Sequence, residues 1–219
     1  SPSASPAEPQ RRIMRAIGLL GGSFNPAHDG HRYISLQALK RLRLDAVWWM
    51  VSPQNPLKDA ADLAPFQVRL DHARAVADHP RIRVTAIEAE IGTTYTVDTL
   101  SVLVRRFPGI RFVWLMGADN LVQISTWERW PRIFALVPIA VLVRPSYAFR
   151  AQASIAARRF AKVRVAEARA AGLARRKPPA WVFLHIRPHP ASATSIRAKR
   201  FHRGQVPARD AEDIADPRT

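Results

Sequence analysis

The sequence predicts one doubly wound α/β domain built on a mostly parallel sheet. Short apolar runs, at 16–20, 45–51, 82–87, 110–116, 138–143 and 181–184, alternate with stretches whose apolar residues recur at helical spacing. The first run leads straight into a glycine-rich turn that opens a helix, which is where open α/β sheets hold ligands. At 219 residues the chain suits a single sizeable core. The predicted domain spans 13–203, after a Ser-, Pro- and Ala-rich leader at 1–12 that reads as disordered and before a polar tail at 204–219 that reads as frayed.

Taken in order, Ala16-Ile17-Gly18-Leu19-Leu20 is a buried strand, and Ile34, Ala38, Leu39 and Leu42 mark one face of the helix that follows. The run at 45–51 is a second buried strand, left through a proline-stiffened exit, Ser52-Pro53-Gln54-Asn55-Pro56-Leu57-Lys58. A strand, a helix and a strand of this length make a right-handed crossover, so the two strands should be parallel. Pro65 opens a helix with Phe66, Leu70, Ala73 and Ala77 on one face, while Arg69 and Arg74 read as solvated. After the alternating strand at 82–87, Thr96 reads as the N-cap of a helix striped by Val97, Leu100, Val104 and Phe107. The strand at 110–116 runs into Gly117-Ala118-Asp119-Asn120, where the glycine lets the backbone approach a ligand. Asp119 then either accepts a hydrogen bond from a ribose hydroxyl or caps the next helix. Trp127 and Trp130 sit at helical spacing, whose ordinary meaning is core packing. Residues 151–174, rich in alanine and arginine, predict one or two basic helices outside the sheet before the last strand at 181–184.

Composition excludes several classes of protein. There is no cysteine, hence no disulfide framework and no thiolate metal site. No apolar run reaches the length of a spanning helix, and the leader lacks the apolar centre of a signal peptide, so a cytoplasmic protein with no membrane partner is expected. The formal charge of +17 is concentrated: residues 144–203 hold 15 Lys and Arg against one acid, Glu167. Such a surface steers small polyanions as well as RNA, and it is also what a merely solvated basic helix looks like.

The chemistry centres on Gly21-Gly22-Ser23-Phe24-Asn25-Pro26-Ala27-His28-Asp29-Gly30-His31. His28 and His31 lie three apart, so both can face one side of the first helical turn. There they can donate hydrogen bonds to phosphate oxygens and offset charge as a pyrophosphate leaves; neither needs to be a nucleophile. The bland alternative makes His28 a turn residue and His31 a helix cap. No carboxylate or cysteine stands nearby at ligand spacing, so a protein-held metal is not expected. Near the other end, Ser192-Ala193-Thr194-Ser195-Ile196-Arg197 reads as a capped helix or as a phosphate clamp of N–H groups, hydroxyls and a guanidinium.

The stretch at 22–31 resembles the G-[ST]-F-[DN]-P-x-H-x-G-H signature of the nucleotidylyltransferase superfamily, matching at every position. The resemblance implies a Rossmann-like fold and an ATP site. Gly22, Ser23, Phe24, Gly30 and Lys58 would serve the phosphates and Gly117 and Asp119 the nucleotide, with Ser192, Thr194 and Ile196 from the S-[ST]-T-x-I-R signature; His28, His31 and Arg197 would be catalytic. Thr94-Tyr95-Thr96-Val97-Asp98-Thr99-Leu100 is similar to the pattern of one branch, the bacterial nicotinate-nucleotide adenylyltransferases. It implies that the Thr94, Tyr95 and Thr96 turn binds the nicotinate carboxylate, that Trp127 stacks on the pyridine ring, and that the Glu128 N–H makes a second carboxylate contact. A helix N-terminus suits a carboxylate on physical grounds as well. Trp130 stays in the core. The polar tail departs from the family, which normally continues with an apolar helix.

The function expected from this resemblance is adenylyl transfer from ATP to nicotinate mononucleotide, with Mg²⁺ carried mainly by the ATP phosphates. The same chemistry on nicotinamide mononucleotide or a phosphopantetheine is the near alternative. The alternative of a different class is an RNA-binding module using the surface at 144–203, which leaves two histidines in a glycine turn without a task. A homo-oligomer is left open.

Overall fold

In the computed structural model, the residues described are 15–54, 63–143 and 148–187. Among them seven strands form one sheet: β1 (Arg15–Gly22), β2 (Ala46–Val51), β3 (Ile82–Thr85), β4 (Ile110–Gly117), β5 (Ile139–Val143), β6 (Arg164–Val165) and β7 (Trp181–His185). Their order is β3-β2-β1-β4-β5-β7-β6, and every pairing is parallel. The reversal falls between β1 and β4, where Leu20 pairs with Leu115. From there the chain winds out to β3 on one side and through β5 on the other, where β6 lies outside β7, so the crevice beyond the carboxyl ends of β1 and β4 is the place for a ligand.

The strands alternate sides with period two, and each face buries its own core. Leu20, Val47, Trp49, Val113, Leu115 and Val182 share one face with α1 (Asp29–Arg41), α2 (Phe66–Ala77) and the 3₁₀ segment Glu167–Arg175. On the other, Leu19, Trp114, Met116, Val141 and Phe183 meet the remaining helices. These are α3 (Ile87–Ile91), α4 (Thr96–Arg106), α5 (Ala118–Gln123), α6 (Trp130–Leu136), α7 (Ala148–Gln152) and α8 (Ile155–Arg159). The doubly wound parallel sheet expected from the apolar runs is therefore the observed architecture. No helix among the described residues is long and apolar enough to cross a membrane.

Four expectations need correction. Residues 151–174 do not form long basic helices: α7 and α8 have five residues each, β6 adds an edge strand, and Glu167–Arg175 is a 3₁₀ segment. The alternation Val163-Arg164-Val165 and the demands of the sheet edge override the helix propensity of alanine. The run at 82–87 is a strand only to Thr85, because Ile87 turns into α3 and lends its side chain to the core.

Arg69 is not solvated but 3 % exposed. It is three residues after Phe66 and four before Ala73, which puts it on the inward stripe of α2. Finally, Trp127 and Trp130 do not share a helix. Trp127 is extended after the 3₁₀ turn Ile124–Thr126, Arg129 has a φ of +44°, and Trp130 begins α6 with Pro131 beside it. Arg74 is exposed as expected.

Candidate active site

The glycine-rich turn lies at the carboxyl end of β1, and its geometry follows from what surrounds it. A Cβ on Gly21 would stand 2.5 Å from the Cη2 atom of Trp114, so this glycine makes room for a core ring rather than for an anion. At Gly22 a Cβ would make only ordinary contact, with the Phe24 ring at 3.7 Å. Phe24 then takes a left-handed φ of +45° and drops its ring into the core, stacked on Trp49 with centroids 5.1 Å apart and 4.8 Å from the His31 ring. Trp49 is fixed in turn by donating from Nε1 to Ser35 Oγ, whose hydroxyl donates to the His31 carbonyl.

The two histidines sit together at the start of α1, with ring centroids 3.9 Å apart. Their capping roles differ from the bland alternative: His28 is the N-cap, and His31 stands three residues into the box. His28 Nδ1 accepts from the Gly30 N–H at 3.1 Å, and His31 Nδ1 accepts from the His28 N–H at 3.2 Å. An imidazole whose Nδ1 accepts carries its proton on Nε2, so backbone geometry selects the tautomer that offers Nε2–H as a donor. Burial and the neighbouring His28 push His31 down to about 3, so it is neutral at any working pH. Two polar imidazoles whose Nε2–H groups remain as donors thus converge with the positive end of α1, an arrangement that suits an anion.

Across the crevice β4 ends at Gly117. A Cβ there would stand 2.6 Å from Asp119 Oδ1, so the glycine leaves room for a carboxylate folded back over the strand end. Gly117 itself is the N-cap of α5, and no side chain caps that helix. Asp119 is exposed, which leaves its carboxylate open to an incoming hydroxyl.

A second cluster lies at the start of α4. Tyr95, not Thr96, is the N-cap, and Thr96 is the first helical residue. The N–H groups of a first helical turn have no intrahelical acceptor, which supports a carboxylate there as well as the cap reading did. Arg129 Nη2 donates to Asp98 Oδ1 at 2.7 Å, tying the Trp127 and Glu128 segment to the first turn of α4. Trp127 is half-buried against the core, whereas Tyr95 and Glu128 are exposed. Trp130 packs edge-on against Phe134 and Phe160, in keeping with a core role.

Glu88 was not singled out by its sequence context, which is an ordinary Ile-Glu-Ala-Glu run. It is 6 % exposed, with Oε1 3.3 Å from the Thr99 hydroxyl. Thr99 also contacts the Thr93 hydroxyl at 2.8 Å and the Tyr95 carbonyl at 3.3 Å, so this network braces the turn leading into α4. Burial pushes the Glu88 carboxyl up to about 7, against hydrogen bonds from Ser52 and Thr99 that favour the charged form.

An acid whose folded pKa is raised is more stable folded below its unfolded value, here 4.5, and loses that stability as pH rises through about 7. The full cost is roughly 3 kcal/mol. Glu88→Gln should therefore melt at a higher temperature than wild type at pH 8 and lose that advantage at pH 5. A difference independent of pH contradicts the assignment.

The structure therefore brings His28 and His31 together, places Gly22 and Gly117 at adjacent strand ends, and joins the Thr96 and Trp127 segments. Lys58, Ser192, Thr194, Ile196 and Arg197, like the leader and the tail, lie outside the described residues.

A family model described as cytidylyltransferase-like matches residues 19–199. A relative from Cereibacter sphaeroides is 54 % identical over 190 residues, 87 % of this chain and 98 % of its own. Others, from Methylorubrum extorquens and a Bradyrhizobium species, are 52 % and 55 % identical over 84 % and 83 % of this chain and 99 % and 94 % of their own. All three are named "Probable nicotinate-nucleotide adenylyltransferase".

Among solved structures, Plasmodium falciparum nicotinic acid mononucleotide adenylyltransferase complexed with NaAD has the same fold, with a TM-score of 0.60 at 17 % identity over 85 % of this chain and 83 % of that one. The fold and the names of these relatives together define a nucleotidyltransferase of the α/β class. The chain belongs to the cytidylyltransferase-like family, in the branch of the nicotinate-nucleotide adenylyltransferases.

Proposed function

We propose that this chain transfers the adenylyl group of ATP to nicotinate mononucleotide, giving deamido-NAD and pyrophosphate. The observation that carries the reading is the imidazole pair at the start of α1, with both Nδ1 atoms engaged by backbone N–H groups beside the carboxyl end of β1. A phosphate oxygen of the mononucleotide attacks the α-phosphorus of ATP in line. As that P–O bond forms, the bond to the oxygen bridging the α- and β-phosphorus breaks, and pyrophosphate leaves. Nε2–H donors of His28 and His31 meet the charge growing on the phosphates, and positioning supplies the rest.

In the same reading Gly22, Ser23, Phe24 and Gly30 shape the phosphate side, with Lys58, Ser192, Thr194, Ile196 and Arg197 as further expected contributors. Asp119 accepts from the ATP ribose beside Gly117. The acceptor's carboxylate meets the N–H groups of Thr96 and Glu128 in the pocket of Thr94 and Tyr95, and Trp127 covers its ring.

A cation carried on phosphate oxygens and water needs no cluster of protein ligands, and Mg²⁺ is expected in that form. Mg²⁺ on the ATP phosphates would supply further neutralisation of the leaving group.

An acceptor panel tests this reading. Pyrophosphate release from ATP should be fastest with nicotinate mononucleotide. Faster turnover with nicotinamide mononucleotide or a phosphopantetheine overturns the choice of acceptor. The RNA-binding alternative has a footing in an open basin at the β6 edge lined by Lys162, Arg164, Arg169, Arg176 and Lys177. It requires tight, steeply salt-dependent RNA binding without ATP turnover.

A further inference from the structure

Arg69 spends its whole guanidinium on backbone. Nε donates to the Ala64 carbonyl at 2.8 Å, Nη1 to Ser23 at 2.7 Å and to Ser52 at 2.8 Å, and Nη2 to Pro53 at 3.0 Å. Three separate segments are joined in this way: the turn leaving β1, the chain leaving β2, and the entry to α2. The Phe66 ring lies 5.5 Å from the guanidinium carbon. Among the described residues no carboxylate lies within ion-pair distance of Arg69, and four carbonyl dipoles with the Phe66 ring face its charge.

Holding a carbonyl also fixes the N–H on the other side of the same peptide. The Ser23–Phe24 peptide is trans, so its C=O and N–H point in opposite directions. With the Ser23 oxygen on Arg69, the Phe24 N–H faces away from α2. The peptide dipole then has its negative end on a buried cation and its positive end turned outward. Asn25 adds a second tie in the same sense, because its Oδ1 accepts from the Ala64 N–H at 3.2 Å.

We propose that Arg69 is a positioning residue for the nucleotide triphosphate: it holds the Ser23–Phe24 peptide so that its N–H is offered to a phosphate oxygen, and it locks this turn to the chain leaving β2. The proposal rests on the reading of the crevice as an ATP site. Lysine cannot replace this residue, since one ammonium has neither the planar fork nor the reach to satisfy four carbonyls in three segments.

Arg69→Lys should raise the KM for ATP about tenfold or more, with kcat at saturation and the KM for nicotinate mononucleotide within about threefold of wild type. The partner measurement needs no variant. In the ¹H–¹⁵N spectrum of the wild-type chain, the Phe24 amide should shift downfield when a non-hydrolysable ATP analogue saturates the protein. An Arg69→Lys protein that binds the analogue with wild-type affinity, or a Phe24 amide that stays put at saturation, overturns the assignment alone. A wild-type chain that does not bind the analogue overturns both the assignment and the reading of the crevice.

Discussion

His31→Ala should lower kcat about 100- to 1,000-fold, the usual loss when one preorganised donor to a developing anion is removed. The expected loss follows from the tautomer. His31 Nδ1 is held by the His28 N–H, so the Nε2–H remains to meet the phosphates, and alanine removes it. Alanine also breaks the capping box and the contact with Phe24, so part of the loss could come from the helix end.

His31→Asn separates the two effects. Asparagine Oδ1 stands near the place of Nδ1 and can accept from the same backbone N–H, but nothing stands in the place of Nε2. The asparagine protein should therefore melt near wild type and still lose most of its turnover. Because His31 is neutral down to about 3, its removal should leave the pH dependence of kcat between pH 6 and 9 unchanged. Stability should behave differently. A histidine with a lowered folded pKa contributes stability above its unfolded value of 6.5 and loses it as pH falls toward about 3, so wild type should weaken over that window more steeply than His31→Asn.

Trp127→Ala should raise the KM for nicotinate mononucleotide roughly ten- to hundredfold while leaving the KM for ATP near its wild-type value, the range expected for losing one ring-on-ring stack. Its indole is half-buried, and its Nε1 has no hydrogen-bond partner among the described residues, so the ring contributes a flat apolar face more than a polar contact. The segment is held to α4 by Arg129 and Asp98, independently of the phosphate side. Trp127→Phe should recover most of the affinity. Equal losses for ATP and the acceptor in Trp127→Ala would mean that the tryptophan supports the fold rather than the acceptor pocket.

Much of this molecule could be read in advance because its strands are buried on both faces and appear as unbroken apolar runs, such as Ala46–Val51 and Ile139–Val143. The turn from Gly21 to His31 was legible as a strand-to-helix junction, although Gly21 answers to the distant Trp114 ring and His28 rather than His31 is the N-cap. What escaped was interaction between distant segments. Arg69 finds its acceptors in main-chain carbonyls from three stretches, which no side-chain pattern announces, although its place between Phe66 and Ala73 on the inward stripe was a usable signal.

Pro131 was another: a proline in the first turn marks where α6 begins and separates Trp127 from Trp130. Glu88 gave no signal, because its burial depends on how α3 packs below the start of α4. The alanine- and arginine-rich stretch at 151–174 misled because propensity is a weak guide where a sheet edge takes up the chain.

The central claim concerns where one phosphorus atom goes. Incubating the protein with ATP labelled at the α-phosphorus, nicotinate mononucleotide and Mg²⁺ should place the label in deamido-NAD, with unlabelled pyrophosphate released in equal amount. Label appearing in free AMP, or remaining in ATP while the acceptor goes unused, would contradict adenylyl transfer as the work of this crevice.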